Sequence, residues 1–448
     1  MKNKIYYVCT HCGAHSAKWL GRCPNCGEWN SLVEERTTSS QTSKSNTQLE
    51  KPILLSEITN FDTQRISVPV EEFNRVLGGG IVPGSVILIG GDPGIGKSTL
   101  LLQVSGLFPP KECLYISGEE SKEQIALRAK RVLNKNQNFE ILAETNLDQV
   151  LSILENSEYK FVVIDSIQSI YSTDTDGIPG SLIQIRESTQ KLTEFAKRTG
   201  TAVFLIGHVT KEGFIAGPKV LEHIVDVVLQ FEGEKNYAYR ILRTLKNRFG
   251  STNEIGIFEM VESGLKEVKN PSEIFLADNF SSPGVSISAV IEGSRPMLIE
   301  VQGLVTSSGY SYPQRTTNGF DMKRLQLILA VLEKRLNLTF SNKDVFVNIA
   351  GGFRIDDTAL DLAVALSLIS SNADIVLPDK TLIIGEVGLT GEVRSISHIE
   401  PRLIESEKLG FNHIVLPKAS QNKLTKNLKL KYTFVESLLD AFLKIIKK

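Results

Sequence analysis

Apolar residues between positions 53 and 260 fall into short continuous runs that are separated by amphipathic stretches. The runs predict strands at 85–91, 113–117, 161–165, 202–208, 225–233 and 240–248. Between the early runs, helical patterns occupy Lys97–Ser105 and Leu182–Arg198. Continuous apolar runs are typical of strands that are buried on both faces. Their alternation with helices predicts an α/β domain built on a largely parallel sheet.

The sequence on either side of this region has a different character. Residues 9–30 are rich in Cys, Gly and Trp, and the segment "EERTTSSQTSKSNTQLEKP" that follows has no large apolar residue except Leu49. Such a segment cannot form a core, so it predicts a flexible linker. Beyond position 271, several strands are followed by two long helical stretches, which predicts an α+β domain. We therefore predict four segments: a metal-binding unit at 1–33, a linker at 34–52, the α/β domain at 53–270 and the α+β domain at 271–448.

Composition and charge narrow the class of protein. Of the 448 residues, 41% are apolar and 23% are charged, which is typical of a globular protein. The net charge of −1 gives no overall positive field, so any nucleic-acid site must be a local one. No apolar run reaches the roughly 18–20 residues that a membrane-spanning helix needs. The N-terminal sequence "MKNKIYYVCT" lacks the apolar region of a secretory signal, so we expect a cytoplasmic protein.

Four of the five cysteines form a metal-binding pattern. Cys9, Cys12, Cys23 and Cys26 are spaced as C-x2-C-x10-C-x2-C, and a glycine follows the second cysteine of each pair. Four thiolates provide the closed tetrahedral shell of a structural Zn²⁺. An iron–sulfur cluster uses the same ligands and remains the alternative.

The segment "GDPGIGKST" carries the signature of a phosphate-binding loop, because it follows a predicted strand and opens a predicted helix. Glycine backbone N–H groups and the helix N-terminus would surround the phosphates of ATP. Lys97 would reach the terminal phosphates, and Ser98 would hold Mg²⁺. The predicted nucleotide-binding residues are Gly91, Asp92, Pro93, Gly94, Ile95, Gly96, Lys97, Ser98 and Thr99.

Three acidic residues are candidates for the chemistry of ATP hydrolysis. Asp165 ends the buried run "FVVID" and is expected to orient the Mg²⁺ shell. Glu119 and Glu120 follow the run that ends at Ser117. We predict Glu119 as the base that activates water, while one of the two glutamates serves only to favour the helix dipole.

Several motifs together resemble those of the bacterial RadA/Sms family of DNA recombination and repair proteins. They are "EEFNRVLGGGIVPGSVILIGGDPGIGKSTLL", "YISGEES", "VIDSIQS", "IGHVTKEG" and "LKNRFG", and the resemblance covers the whole chain. The resemblance implies a RecA-like ATPase core, close to that of DnaB-type helicases, and ring hexamers on DNA. It also implies ATP-driven strand extension or branch migration, with single-stranded and branched DNA and the recombinase RecA as partners.

The same resemblance implies roles for further residues. His208 stands where RecA-like proteins carry a polar sensor of the γ-phosphate. Lys211 and Lys219 lie in a segment that touches DNA in the related fold. Lys246 and Arg248 match a basic pair that reaches the ATP of a neighbouring subunit. DNA contact is the alternative for that pair, and a solvated strand edge is the remaining one.

The C-terminal domain resembles Lon-type peptidase domains in "GGFRIDDTALDLAVALSL" and "GEVGLTGEVRSISHIEPR". In this alignment Ala359 occupies the position of the nucleophilic serine and Glu400 that of the catalytic lysine. Neither residue can perform the chemistry of a Ser-Lys dyad, so we predict a noncatalytic domain that supports ring assembly. An ATP-dependent protease and an ATP-assembled DNA scaffold without motor activity remain the alternatives.

Overall fold

The computed structural model divides the chain into two compact units. The first comprises Met1–Glu232, Leu242–Thr252 and Met260–Glu267, and the second comprises Gly233–Ile241, Asn253–Glu259 and Val268–Lys448. The structure describes residues 5–9, 14–36, 54, 65–133, 139–207, 220–233, 238–276, 281–309, 312–350, 354–424 and 428–446.

The N-terminal part of the first unit is a small antiparallel sheet. Its strands are β1 (Ile5–Cys9), β2 (His15–Ser16) and β3 (Leu32–Arg36), in the order β2-β1-β3. A small cluster of buried side chains, which includes two cysteines, lies beside these strands.

The remaining strands of the first unit belong to a nine-stranded sheet. Its strands are β4 (Val86–Gly90), β5 (Cys113–Ser117), β6 (Glu140–Ala143), β7 (Phe161–Asp165), β8 (Ala202–Ile206), β9 (Val227–Glu232), β10 (Tyr239–Asn247), β11 (Ile255–Val261) and β12 (Gly264–Glu267). The order is β12-β11-β10-β9-β4-β8-β7-β5-β6. The six strands from β9 to β6 in this order are parallel, as the apolar runs predict. Their C-terminal ends therefore meet at one edge of the sheet, where α/β proteins bind ligands.

The helices of the first unit are α1 (Glu71–Val76), α2 (Lys97–Ser105), α3 (Lys122–Val132), α4 (Leu147–Glu155), α5 (Leu182–Thr199) and α6 (Val220–Ile224). The two helices predicted from periodicity are confirmed, and α5 extends one residue beyond its predicted end. Ser121 starts α3 through a reciprocal capping box with Gln124. A left-handed Gly200 ends α5.

The predicted strands are also confirmed, with ends that shift by one or two residues. The structure adds β6, β11 and β12 to the predicted strands, and the residues of β6 are all at least partly exposed. The strand predicted at 240–248 ends at Asn247, so Arg248 lies one residue beyond β10.

The second unit contains a seven-stranded mixed sheet and a two-stranded hairpin. Their strands are β13 (Val285–Glu292), β14 (Arg295–Ser307), β15 (Arg315–Asn318), β16 (Lys343–Ile349), β17 (Thr381–Ile383), β18 (Glu386–Val387), β19 (Val393–Arg394), β20 (His413–Pro417) and β21 (Lys431–Val435). The large sheet has the order β15-β16-β14-β13-β17-β20-β21, and β18 pairs with β19. The helices are α7 (Pro271–Phe275), α8 (Met322–Leu336), α9 (Asp361–Ala373), α10 (Ile399–Lys408) and α11 (Leu438–Ile445).

Two arginine–aspartate pairs connect elements of the second unit. One pair joins α8 to α9, and the other joins α10 to the turn before α9. Asp361, at the start of α9, is fully buried and accepts two hydrogen bonds from Arg324 of α8. Arg402 of α10 has 1% of its surface exposed and pairs with Asp357 at 2.7 Å. A buried charge is tolerated only with such a partner.

We expect Arg402→Ala to destabilise the protein by about 3–5 kcal/mol, because it leaves the carboxylate of Asp357 without its buried cation. Chemical denaturation followed by circular dichroism measures this free energy of unfolding. Lys408→Ala is the matched control on the same helix, since the Lys408 side chain is 68% exposed and pairs only loosely with Glu405 at 3.8 Å. Its cost should stay within about 0.5 kcal/mol. Equal free energies of unfolding for the two variants would contradict a structural role for Arg402.

Candidate functional site

The turn between β4 and α2 lies at the C-terminal end of a central parallel strand. Gly91, Gly94 and Gly96 in this turn have positive φ angles of 150°, 78° and 121°. A Cβ atom would lie 2.9 Å from Phe231 if added at Gly91, and 3.0 Å from Met260 if added at Gly96. Both positions therefore require glycine, for conformation and for space. A turn of this kind is typical of loops whose N–H groups surround phosphate.

Lys97 begins α2 with only 4% of its surface exposed. Its ammonium group donates hydrogen bonds to the carbonyl oxygens of Gly91 at 2.7 Å and Asp92 at 2.9 Å. Burial lowers the pKa of Lys97, whereas the carboxylates of Asp165, Asp92 and Glu119 raise it. The cation is thus held inside the loop and close to three acidic groups.

The other loop residues are consistent with a nucleoside triphosphate. Pro93 and Gly94 are exposed, Ile95 is buried, and Ser98 and Thr99 are partly exposed in the first turn of α2. The first N–H groups of a helix have no partner within it and favour an anion. Together with the lysine, these donors fit a polyphosphate. A Mg²⁺ ion, held by Ser98 and by the acid at the end of β7, would neutralise charge on the phosphates.

Asp165 ends β7 with 7% of its surface exposed. The hydroxyl of Tyr115, on the neighbouring strand β5, donates to its Oδ2 at 2.5 Å. Nη2 of Arg128, on α3, lies 3.7 Å from the same oxygen. Burial and the charge of Asp165 hold the pKa of Tyr115 well above its usual value, so the hydroxyl remains a donor. The carboxylate is therefore fixed at the edge of the sheet that carries the phosphate-binding loop.

Glu119 and Glu120 have different partners. The hydroxyl of Ser166, the residue directly after Asp165, donates to Glu119. Glu120 instead forms an ion pair of 2.8 Å with Arg128. Glu119 therefore faces the loop, and Glu120 anchors α3. This geometry favours Glu119 as the base.

Tyr115 and Arg128 are the residues that the sequence did not identify. Tyr115 stands within an apolar run, and its single signal is that a buried hydroxyl requires a partner. Arg128 lies on an amphipathic helix whose exposed face is charged, so nothing in the local sequence separates it from its neighbours. Their roles become visible only when β5, β7 and α3 are placed together.

Lys246 and Arg248 contact the short segment that ends α6 and leads to β9. The Lys246 ammonium donates to the carbonyl oxygens of Glu222 at 2.5 Å and Val225 at 2.8 Å. Nη1 of Arg248 lies 3.0 Å from Oδ1 of Asp226, and 48% of the Arg248 side chain is exposed. Both cations therefore contact the same segment, residues 222–226, although Arg248 lies one residue beyond the end of β10.

This basic pair lies near the N-terminal end of β4, and the phosphate-binding loop follows the C-terminal end of the same strand. Asp226 accepts a hydrogen bond from the N–H of Val86, the first residue of β4. The loop begins at Gly91, five residues further along. At about 3.3 Å per residue, Val86 and Gly91 are separated by about 16 Å.

Three of the four predicted metal ligands come together in the N-terminal unit. The Sγ atoms of Cys9, Cys23 and Cys26 lie within 4.8 Å of one another, and those of Cys9 and Cys26 are 3.6 Å apart. Zn–S bonds of about 2.3 Å imply tetrahedral S–S edges of about 3.8 Å, so the cluster fits zinc. Cys12 lies outside the described residues, as do His208, Lys211 and Lys219.

The positions aligned with a Lon-type dyad carry no nucleophile. Ala359 is fully buried in a 3-10 turn, and Glu400 lies in the first turn of α10. Asp357 caps this turn through the N–H of Ala359 and also pairs with Arg402. Arg402 further donates to the carbonyl oxygens of Ala289 and Ser397. The region is thus a buried structural contact.

Three family models match separate parts of the chain. A model described as a rubredoxin metal binding domain matches residues 7–34, and one described as an AAA domain matches residues 54–213. A model described as subunit ChlI of Mg-chelatase matches residues 322–420. The likeness of the C-terminal unit to Lon-type domains stays a prediction.

Relatives match along almost the whole length. The DNA repair protein RadA of Bacillus subtilis (strain 168) is 47% identical over 449 residues, which cover 98% of each chain. The proteins of the same name from Halalkalibacterium halodurans and from Listeria monocytogenes serovar 1/2a are each 48% identical, and cover 93% and 96% of each chain. The chain belongs to the RadA family. Its fold is a zinc-ribbon unit and a RecA-like ATPase core, followed by a C-terminal α/β region.

A solved structure of the RadB recombinase also aligns with this RadA family member. It is 21% identical, covers 45% of this chain and 99% of that chain, and has a TM-score of 0.37, which is too low to support a conclusion. Within the part of the chain that the structure describes, no helix has both the length and the apolar character needed to cross a membrane.

For this RadA family member we expect Glu119→Gln to lower kcat for ATP hydrolysis by about 10²–10⁴-fold, because the amide cannot accept a proton from water. Glu120→Gln is the matched control and should cause a smaller loss, since Glu120 is used to hold Arg128. Steady-state turnover and binding of a fluorescent nucleotide separate catalysis from affinity. A larger effect at Glu120 would reverse the assignment.

The metal centre gives a second test. Elemental analysis should find one zinc per chain, and Cys9→Ser should release it because a tetrahedral site loses one of its thiolates. Cys113→Ala removes a buried cysteine on β5, outside the cluster, and should leave zinc in place. ATP turnover should persist in Cys9→Ser if the ATPase core folds independently of the metal. Iron in place of zinc would contradict the metal assignment.

Proposed function

We propose that this protein is a DNA-dependent ATPase of recombinational DNA repair. It would bind single-stranded and branched DNA in the cytoplasm as a ring hexamer, together with the recombinase RecA. ATP hydrolysis would drive branch migration or strand extension of recombination intermediates. Support comes from the phosphate-binding loop and its acidic partners, and from relatives named DNA repair protein RadA along 93–98% of the chain.

The observation that carries the proposal is the placement of Arg248 at the sheet edge opposite its own phosphate-binding loop. A side chain tied to Asp226 cannot span the distance from Val86 to Gly91, about 16 Å, to reach ATP in the same chain. In a ring it would act instead on ATP bound to a neighbouring subunit. We therefore assign Arg248 as an arginine finger that acts across the subunit interface, and such a finger typically contributes about 10³–10⁵ in rate.

Lys246 supports this arrangement from within the subunit. Its ammonium is bonded to two carbonyl oxygens at the end of α6, and burial together with Arg248 lowers its pKa. Lys246 therefore positions the segment against which Arg248 lies. In the assembled ring it would also face the neighbouring phosphates, with DNA contact as the alternative role for the pair. His208 would sense the γ-phosphate, and Lys211 and Lys219 would contact DNA.

The protease alternative lacks a reactive group. Ala359 has no nucleophile and is fully buried, and the nearby cation Arg402 is bound to Asp357. We assign the C-terminal unit to ring assembly. Three basic residues of this unit, Arg315, Lys323 and Arg324, are candidates for contact with the DNA backbone. Two of them have internal partners, because Arg324 binds Asp361, and Arg315 donates to the carbonyl oxygens of Lys343 and Phe340. The remaining alternative, a scaffold that uses ATP only to assemble, predicts no stimulation of hydrolysis by single-stranded DNA.

Mixed assemblies test the finger. Lys97→Ala and Arg248→Ala should each hydrolyse almost no ATP with single-stranded DNA present. Mixed together they should regain part of the activity, because an intact loop on one subunit meets an intact finger on the next. Phosphate release measured across mixing ratios, with light scattering to record assembly, gives the result. Arg198→Ala is the control, since it removes an exposed arginine that pairs with Glu155.

Arg248→Lys complements the alanine variant, because it keeps a cation beside the buried Asp226 while losing the planar fork of the guanidinium. It should fold and still turn over poorly. If Arg248→Ala and Arg248→Lys both hydrolyse ATP normally and lose only DNA affinity, the finger assignment is wrong and the DNA role replaces it. If hydrolysis by the unmodified protein ignores single-stranded DNA, the motor proposal is wrong.

A further inference from the structure

The N-terminal metal-binding unit exposes both tryptophans of the chain. The sequence contains two, Trp19 and Trp29, and 55% and 68% of their surfaces are exposed. Burial of tryptophan is among the strongest sources of stability available to a small unit. Two exposed indoles in a unit of this size therefore indicate a surface that is covered by a partner.

The two indoles converge on one point. A Cβ atom placed on Gly21 would lie 3.8 Å from the ring of Trp29 and 3.9 Å from the ring of Trp19. Gly21 has no side chain, so the space between the ring edges is left open. The edges of both rings therefore lie beside the same point of the backbone, within reach of one ligand.

A short hairpin holds one of these rings beside a cation. Arg22 and Trp29 form an antiparallel bridge, and residues opposite each other in such a bridge share a face. Nε of Arg22 donates to the carbonyl oxygen of Gly27 at 2.7 Å, and its guanidinium lies 5.7 Å from the centre of the Trp29 ring. The aromatic surface and the positive charge are thus fixed together.

The charges around the indoles favour an anionic partner. Lys18 precedes Trp19, Arg22 lies over Trp29, and both side chains are exposed. Residues 14–27 contain no aspartate or glutamate, and Lys18 and Arg22 are the lysine and the arginine of this segment. Glu28, which precedes Trp29, is the acidic exception and is also exposed.

We propose that Trp19 and Trp29 stack on the bases of single-stranded DNA, while Lys18 and Arg22 contact its phosphates. Exposed aromatic rings combined with basic side chains are the usual means of binding unpaired nucleic acid without sequence preference. This inference rests on the proposed function as a DNA-dependent ATPase. It adds a site for the strand on the metal-binding unit, separate from the ATPase core.

Intrinsic fluorescence of the full-length protein reports on this site directly, because the chain has no other tryptophan. Oligothymidylate should quench the fluorescence in a saturable way. An abasic oligonucleotide of the same length has the same phosphates without bases, and should quench much less. Equal quenching by the two would show phosphate contact without stacking, and would overturn the proposal.

Substitutions separate stacking from folding. Trp19→Ala and Trp29→Ala should each weaken binding of oligothymidylate about tenfold, whereas Trp19→Phe and Trp29→Phe should largely retain it. Trp19→Leu and Trp29→Leu keep apolar volume and should bind like the alanine variants. Zinc content identifies any variant whose metal-binding unit has not folded. Glu28→Gln should strengthen binding, since it removes the acidic neighbour of Trp29.

The outcomes distinguish this inference from the proposed function. If the unmodified protein binds oligothymidylate and all zinc-containing tryptophan variants bind it equally well, the stacking site is wrong and DNA binding by the core stands. In that case the exposed indoles would serve a protein partner. If the unmodified protein binds no single-stranded DNA with an ATP analogue at low salt, the DNA-dependent function itself fails.

Discussion

The buried carboxylate of Asp226 anchors Arg248 at the start of the central strand β4, at the end opposite the phosphate-binding loop. Its Oδ2 accepts the N–H of Val86 at 3.1 Å, and its Oδ1 accepts Nη1 of Arg248 at 3.0 Å. The side chain is 6% exposed, and a carboxylate at that depth requires a cation. The arginine proposed to act on a neighbour's ATP is therefore also needed by its own subunit. Because β4 is hydrogen-bonded to a strand on each side, it keeps Val86, and with it the Asp226–Arg248 pair, at a fixed distance from the phosphate-binding loop.

At the other end of β4, geometry and electrostatics reinforce each other. Lys97 is buried by a loop whose glycines allow close approach of the backbone, and that burial disfavours its charge. Asp165 and Glu119 offset this cost, and both are held by hydroxyl groups, from Tyr115 and Ser166. Arg128 stabilises the carboxylate of Asp165 and also forms the ion pair that engages Glu120. A bound polyphosphate would replace the two carbonyl oxygens that Lys97 now contacts, so the loop is prepared for an anion of the right size.

The sequence predicted the parts of this arrangement that depend on local pattern. The glycine spacing, the apolar runs and the position of Asp165 after β7 are local, and the structure places them as expected. The pairing of Arg248 with Asp226 could not be predicted, because it depends on how β9 and β10 meet. The same is true of Arg128, which acts through contacts with two other elements. Strand β6 was missed because its apolar run, Ile141–Ala143, is only three residues long and partly exposed.

The C-terminal unit carries charged structural contacts where the sequence resemblance would place a catalytic dyad. A dyad would need a hydroxyl and a neutral amine near the start of α9. Here the same neighbourhood holds two ion pairs, Arg402 with Asp357 and Arg324 with Asp361, and one partner of each pair has at most 1% of its side chain exposed. Each aspartate also accepts backbone N–H groups, those of Ala359 and Val387 among them, so the charges fix the turns that flank the helix. Removing either arginine would leave its aspartate without the cation that balances it. The two pairs therefore hold the start of α9 in place, and neither position aligned with the dyad offers a group for hydrolytic chemistry.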